Sequence, residues 1–376
     1  MHSRGLAPSF LVPPEGRGMR LDAALAFFLP GMGLRGRRRL WTWCRVMVNG
    51  RDRAPGFAVL AGDCVRIVPV DGRAGVEDLT KVIAKACAGA SFPDAFLSLP
   101  WPCLRNDRQF DLRQEAVPEA SFVAAVRLVA ASKDFVALHK PRGLHSAHIA
   151  GGRAASLEAL LPVYWERLWK DCRLTEAFCG GASSLPVLLT RLDRDTSGIV
   201  LGAMNGEAAG RFRVAERQGL ACKHYFAVLR GSLPYPIVIT KRLATDARVT
   251  RVLDEEESDG ARHTRVSPLA AVEGRGGVGE DGPVDASSAA GCREGASGIA
   301  ATLAHVQIAR GARHQIRAHL AAAGFPLVGD RLYSPRAALR EKSASFFYLH
   351  HAKVTFPGFS ALDMPGWNLG EDAAHL

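Results

Sequence analysis

The chain has 376 residues, enough for two domains, and Lys plus Arg exceed Asp plus Glu by 48 to 37, a formal charge of +11 with a pI near 9.5. That excess points to a polyanionic partner, nucleic acid or an anionic surface. No apolar run reaches the roughly 20 residues that span a bilayer, and the 8 cysteines show neither a Cys-x-x-Cys pair nor a His–Cys cluster at zinc spacing. Free thiols, no metal and no membrane are therefore expected.

Residues 1–18 are rich in Pro and Gly and read as a loose arm. Residues 23–29 faintly resemble a signal-peptide core, but Asp22 interrupts the start and no small-residue cleavage site follows. They read instead as a core helix, with Leu21, Leu25 and Phe28 at helical spacing, and a cytoplasmic location is expected. Arg35, Arg37, Arg38 and Arg39 follow, then a second helical run over residues 40–45. Val46-Met47-Val48-Asn49-Gly50-Arg51 predicts a tight hairpin. Residues 65–69 alternate as a strand. The clustered arginines, with Arg51, are candidate RNA contacts, although such runs also occur as solvated helix faces. Residues 71–120 lack a clear period and read as a linker.

A second unit is expected over residues 121–360. Residues 126–129 and 135–138 look like strands, followed by the turn Lys140-Pro141-Arg142-Gly143, in which Lys140 could reach a phosphate. Residues 163–181 read as a packed amphipathic helix. The stretch Thr190-Arg191-Leu192-Asp193-Arg194-Asp195-Thr196-Ser197-Gly198 lies between two apolar runs. Charge entering a core is costly unless paired, yet Asp195 to Gly198 are also ordinary turn formers. Residues 223–229 alternate as a strand, with Lys223, Tyr225 and Ala227 on one face. From residue 254 to 298 large apolar residues almost vanish, which predicts a disordered insertion. Arg310, Arg313 and Arg317 recur at spacings of three and four, as on one helix face. The last strand is expected over residues 346–356, with a loose tail after Phe359.

Two stretches taken together carry a resemblance. Residues 190–198 and the segment Gly311-Ala312-Arg313-His314-Gln315-Ile316-Arg317-Ala318-His319-Leu320, followed by Gly324-Phe325-Pro326-Leu327-Val328-Gly329-Asp330 and Tyr333, resemble the ribosomal large-subunit type of pseudouridine synthase. That family carries His-Arg-Leu-Asp-x-x-Thr-Ser-Gly and Gly-Arg-x-His-Gln-Ile-Arg-x-His-Leu motifs. The order helix, basic turn, helix, hairpin and strand over residues 19–70 is similar to the small alpha-L (S-four-like) RNA-binding domain. The resemblance implies an α+β fold: a catalytic domain on a mixed, largely antiparallel sheet, behind a small N-terminal RNA-binding domain. It implies isomerisation of uridine to pseudouridine without a cofactor, in ribosomal RNA first and transfer RNA as the alternative, by a monomer.

By the same resemblance Asp193 is the catalytic carboxylate, Arg317 its ionic partner and Tyr225 the residue that stacks on the base. Lys140, Arg191, Lys223, Arg313 and His314 join the front arginines as candidate RNA contacts. Two departures stand out: Thr190 replaces the family His, and Ala312 replaces the family Arg, with Arg313 one place later. A non-catalytic RNA-binding factor, and a glycosidase using Asp193 with Asp195, are the rival readings.

Overall fold

The computed structural model describes residues 7–70, 121–148, 154–170, 185–247, 249–274, 299–334 and 346–367. The expected linker at 71–120 lies outside them.

The front unit is a four-stranded antiparallel sheet in the order β1 (Ser9–Leu11), β4 (Cys64–Pro69), β2 (Cys44–Val48), β3 (Arg51–Asp52). Helices α1 (Leu21–Ala24) and α2 (Leu34–Trp43) cover it, burying Leu21, Leu25, Leu29 and Leu40 against Val46, Val48, Val65 and Ile67. The Asn49-Gly50 turn forms as expected. Both residues have positive φ, 50° and 77°, and Val48 pairs with Arg51; this backbone matches the strand twist and favours Asn-Gly.

The N-terminal stretch differs from the loose arm expected. Phe10 is buried and stacks on Phe28 at 3.5 Å, and β1 pairs with β4 along its length. The unit thus begins before residue 19: one buried aromatic outweighs the Pro and Gly around it. Ser9 also reaches the second unit, its Oγ accepting from the Val238 N–H at 2.7 Å.

The second unit is a ten-stranded sheet. Its main path is β10 (Ile237–Ile239), β13 (Thr264–Gly274), β14 (Ile299–Ile308), β9 (Cys222–Arg230), β15 (Leu349–Phe356), β8 (Ser197–Ala203), β6 (Phe135–Lys140), β5 (Arg127–Ala131). Every neighbour on it is antiparallel except β15 with β8. Short strands β7 (Val187–Leu188) and β16 (Phe359–Leu362) pair with β8 and β15. The chain is therefore α+β with a largely antiparallel sheet.

Helix α3 (Phe122–Ala125) opens this unit. Helix α4 (Leu157–Lys170) packs on Val136, Leu138 and Val200, and α5 (Gly206–Arg217) on Phe135, Ala137, Ile199 and Leu201. Alternate residues of β6 and β8 feed opposite layers, which is why both read as unbroken apolar runs. Helix α6 (Gln315–Ala322) covers Tyr225, Ala227, Val306 and Ile308.

The insertion expected over 254–298 is ordered over its first part. Residues 251–256 form β12 (Arg251–Glu256), paired with β11 (Lys241–Ala244), and β13 lies between β10 and β14. Val266 is buried opposite Val306 and Ile237. Composition counts side chains, whereas β13 is ordered largely by backbone bonding to β14 along its length and to β10 at residues 264–266, with a register shift at Pro268 to absorb the missing donor. Residues 275–298 lie outside the described ones. The tail is also ordered past Phe359: β16 forms, and the buried Asp363 accepts from Arg127 at 2.8 Å and pairs with His139 at 2.6 Å.

Candidate active site

The loop at 190–196 is held by the turn after β6. The Ser146 hydroxyl accepts the Leu192 N–H and donates to the Leu192 carbonyl, both at 2.8 Å. Gly143 N–H and Lys140 Nζ donate to the Arg194 carbonyl at 2.9 and 3.0 Å. Thr190 Oγ1 accepts from the Leu201 N–H at 2.9 Å, so the residue standing in for the family His ties the loop to β8. Gly198 has φ +108°, and a Cβ there would lie 2.3 Å from the His351 carbonyl oxygen. Only glycine permits so close an approach of β8 and β15.

Helix α6 begins at Gln315, after His314 at φ 53°. Arg310 and Arg313 therefore precede the helix, and only Arg317 is on it, in its first turn. A cation is unfavourable there, and two carboxylates offset it. Arg317 Nη1 donates to Asp193 Oδ2 at 2.7 Å, while Nε and Nη2 donate to Asp330 Oδ2 and Oδ1 at 2.8 and 3.0 Å. The guanidinium sits 4.4 Å from the Phe347 ring centre and 5.2 Å from that of Tyr333. Burial works against its charge, but the hydrogen bonds and charges of Asp330 and Asp193 outweigh that and hold its pKa above the ordinary arginine value. Side-chain exposure grades across the triad: 0% for Asp330, 9% for Arg317, 23% for Asp193. Of the three, Asp193 is the one a substrate can reach.

His314 and Tyr225 complete the surroundings. Thr250 N–H donates to Tyr333 Oη at 3.0 Å, so the Tyr333 hydroxyl is free to donate to His314 Nδ1, also 3.0 Å away. The other ring nitrogen, Nε2, faces Asp193 Oδ1 at 3.9 Å. Burial lowers the His314 pKa against the pull of Asp193. Tyr225 is buried in a stack on His351, 4.5 Å between centres and 17° between planes. Burial first, and the Asp193 charge second, raise its pKa, so it offers a protonated phenol.

The expected trio is thus assembled: Asp193 and Arg317 are bonded, and Tyr225 lies within the field of Asp193. Asp195 does not share this partner. It faces Arg194 at 3.6 Å, whereas Asp193 faces Arg317.

Two expected RNA contacts are overturned. Lys140 is fully buried, and Nζ donates to the carbonyls of Pro141, Leu144 and Arg194 at 2.9, 2.7 and 3.0 Å. Burial pulls its pKa down to about 7 against the charges of Asp195 and Asp193; three carbonyl acceptors match the three donors of the ammonium form. Lys223 is buried as well, bonded to Glu216 and 5.7 Å from the Phe212 ring centre. Both amines serve the interior.

The others lie at the surface in different ways. Arg35, Arg39 and Arg51 are exposed, Arg39 lying 5.1 Å from the Trp43 ring centre. Arg37 is half-buried and donates to the Asp22 and Met32 carbonyls at 2.9 and 2.5 Å; Arg38 is exposed while pairing with the buried Asp22 at 2.6 Å. Arg191 is exposed beside the Asp193 loop. Arg313 donates to the Thr245 carbonyl at 2.7 Å and to that of Ala247, fastening the β11–β12 hairpin next to the site. Asp330 received no role from the sequence, although its Gly-Asp pair stood in the resemblance; a second carboxylate for Arg317 is what the sequence reading lacked.

Comparison with known proteins identifies the family. The profile of a family described as RNA pseudouridylate synthase matches residues 134–322, half of the chain, and the chain belongs to that family. An uncharacterised RNA pseudouridine synthase of Bacillus subtilis, YjbO, is 28% identical over 170 residues, 43% of this chain and 50% of the relative. An uncharacterised RNA pseudouridine synthase of Helicobacter pylori is 26% identical over 174 residues, 46% of this chain and 59% of the relative. The chain thus spans about half the length of these curated relatives. Among solved structures, human RNA pseudouridylate synthase domain containing 1 superposes with a TM-score of 0.44 at 19% identity, covering 67% of this chain and 86% of the other.

Proposed function

We propose that the protein isomerises uridine to pseudouridine in RNA, in large-subunit ribosomal RNA first, with Asp193 as the reacting carboxylate. The observation that carries this is the graded triad: one partly exposed carboxylate oriented by a buried arginine whose charge a second carboxylate also balances. The reaction breaks the N1–C1′ bond, turns the base and joins C5 to C1′, with the C5 proton replaced by one gained at N1. Nothing is oxidised and no group is supplied from outside. Arg317 aims Asp193; Tyr225, a protonated phenol stacked on His351, is the aromatic side chain the extruded base would meet. The exposed Arg35, Arg39 and Arg51 fit phosphate contacts from an alpha-L-type front domain, which favours a structured RNA as substrate.

The test is to map pseudouridines in ribosomal and transfer RNA from cells with and without the gene. Sites missing from large-subunit RNA in the deletion, restored by the wild type but not by Asp193→Asn, support the reading. Missing sites confined to transfer RNA would move the substrate. Complete pseudouridine maps in the deletion would leave the non-catalytic RNA-binding reading.

A further inference from the structure

Arg317 meets its two carboxylates unequally. Asp193 receives one N–H. Asp330 receives two, and its Oδ1 also accepts the N–H groups of Leu332 and Tyr333 at 2.9 and 3.2 Å. Asp330 is buried and fixed at every acceptor; Asp193 is the looser, more exposed partner. Resting on the reading above, consider what happens to Asp193 when it reacts. One route bonds its oxygen to the ribose carbon as N1–C1′ breaks, the electron pair leaving with the uracil. The other takes a ribose proton. On either route the carboxylate loses its negative charge. In a simple two-member pair the buried guanidinium would then be uncompensated at the moment of reaction.

We propose that Asp330 is a positioning residue that removes this penalty. It clamps the guanidinium so that only Nη1 is presented to Asp193, and it remains as counter-ion while Asp193 is neutral. Arg317 orients Asp193 without relying on it as sole counter-ion, and stays in place for the step that restores the carboxylate.

The test compares wild type, Asp193→Asn, Asp330→Asn, Arg317→Met and the Arg317→Met/Asp330→Asn double variant. Total RNA from the gene deletion is the substrate. Single-turnover pseudouridine formation is read by mass spectrometry and affinity by filter binding of the same RNA. Asn keeps one acceptor oxygen for the two backbone N–H groups and Arg317 Nη2, but loses the charge and the acceptor for Arg317 Nε–H. The expected result for Asp330→Asn is RNA affinity within about twofold of wild type. Its single-turnover rate should fall by about 10- to 100-fold, the range for losing an orienting outer partner. The same substitution should cost nothing further on an Arg317→Met background. A wild-type rate for Asp330→Asn, a parallel loss of rate and affinity, or full additivity with Arg317→Met would each overturn the proposal. If Asp330→Asn does not fold, Asp330→Glu carries the test. It keeps the charge but shifts it by one methylene: a slowed rate at unchanged affinity supports the clamp, and a wild-type rate overturns it. Activity surviving in Asp193→Asn would instead remove the functional reading itself.

Discussion

Replacing Arg317 with Met removes the cation from between two carboxylates, and its stability cost should be dominated by Asp330. The Asp330 side chain has no exposure, and without Arg317 it retains only the two backbone N–H donors from Leu332 and Tyr333. Stranding one buried member of an ion pair costs on the order of 3–5 kcal/mol. Asp193 is 23% exposed and can turn toward water, so its share should be about 1 kcal/mol or less. From the sequence alone, with Asp193 as the sole partner, the Arg317→Met/Asp193→Asn double variant is expected to be no less stable than Arg317→Met. With Asp330 in place the relief must come from the other acid. Adding Asp193→Asn to Arg317→Met should change stability by under about 1 kcal/mol, whereas adding Asp330→Asn should recover about 2–4 kcal/mol of the loss. Urea unfolding of the wild type, the three single variants and the two double variants, followed by far-ultraviolet circular dichroism, measures this directly. Recovery by Asp193→Asn but not by Asp330→Asn would refute the argument, as would a simple sum of single effects.

Three further outcomes follow from other parts of the fold. Gly198→Ala should cost on the order of 3 kcal/mol or more, because strain at positive φ adds to a 2.3 Å clash with backbone that cannot yield; wild-type urea stability would mean the β8–β15 approach is looser. Burial lowers the pKa of His224 and His351 to about 3, and of His305, His319 and His350 to about 4. The unfolded chain therefore binds more protons below about pH 6.5. Stability should be full above that value and fall by about 1.4 kcal/mol per pH unit per proton toward pH 4; a melting temperature unchanged between pH 7.5 and 5 would contradict it. Replacing residues 260–298 by a short Gly-Ser link should abolish soluble folded protein, since it removes β13 from between β10 and β14; soluble, cooperatively melting protein would show that β13 is dispensable.

What was legible in the sequence is what local chemistry decides. Asn49-Gly50 has one good backbone solution, and β6 and β8, buried on both faces, have to be apolar throughout. The Asp193–Arg317 pair was legible only through the resemblance, since the two lie 124 positions apart. The failures share a cause: a side chain's partner is set by the fold. Nothing local distinguishes a lysine facing phosphate from Lys140, whose three acceptors come from residues 141, 144 and 194. The spacing of Arg310, Arg313 and Arg317 is helical, yet the left-handed His314 starts the helix too late to include the first two. Residues 264–274 look like a disordered tract by composition and become a strand because the edge of β14 takes them along nearly their whole length and β10 takes the first three.

The two departures from the family motifs acquire a common explanation in these terms. Thr190 uses its hydroxyl to hold the Asp193 loop against Leu201 of β8, a structural bond in the place of the family imidazole. Arg313, one position beyond the expected arginine, fastens the carbonyls of Thr245 and Ala247, while the Thr250 hydroxyl donates to the Arg313 carbonyl at 2.8 Å and the Thr250 N–H to Tyr333. The β11–β12 hairpin is thereby tied to the residues that abut His314 and Arg317. At its root the Thr240 hydroxyl bonds Glu256 and lies 3.5 Å from Arg66 Nη2 of the front unit. Both substitutions alter the walls and supports around the site and leave the Asp193–Arg317–Asp330 triad intact. Divergence of this kind changes what frames the triad and leaves its three hydrogen bonds in place.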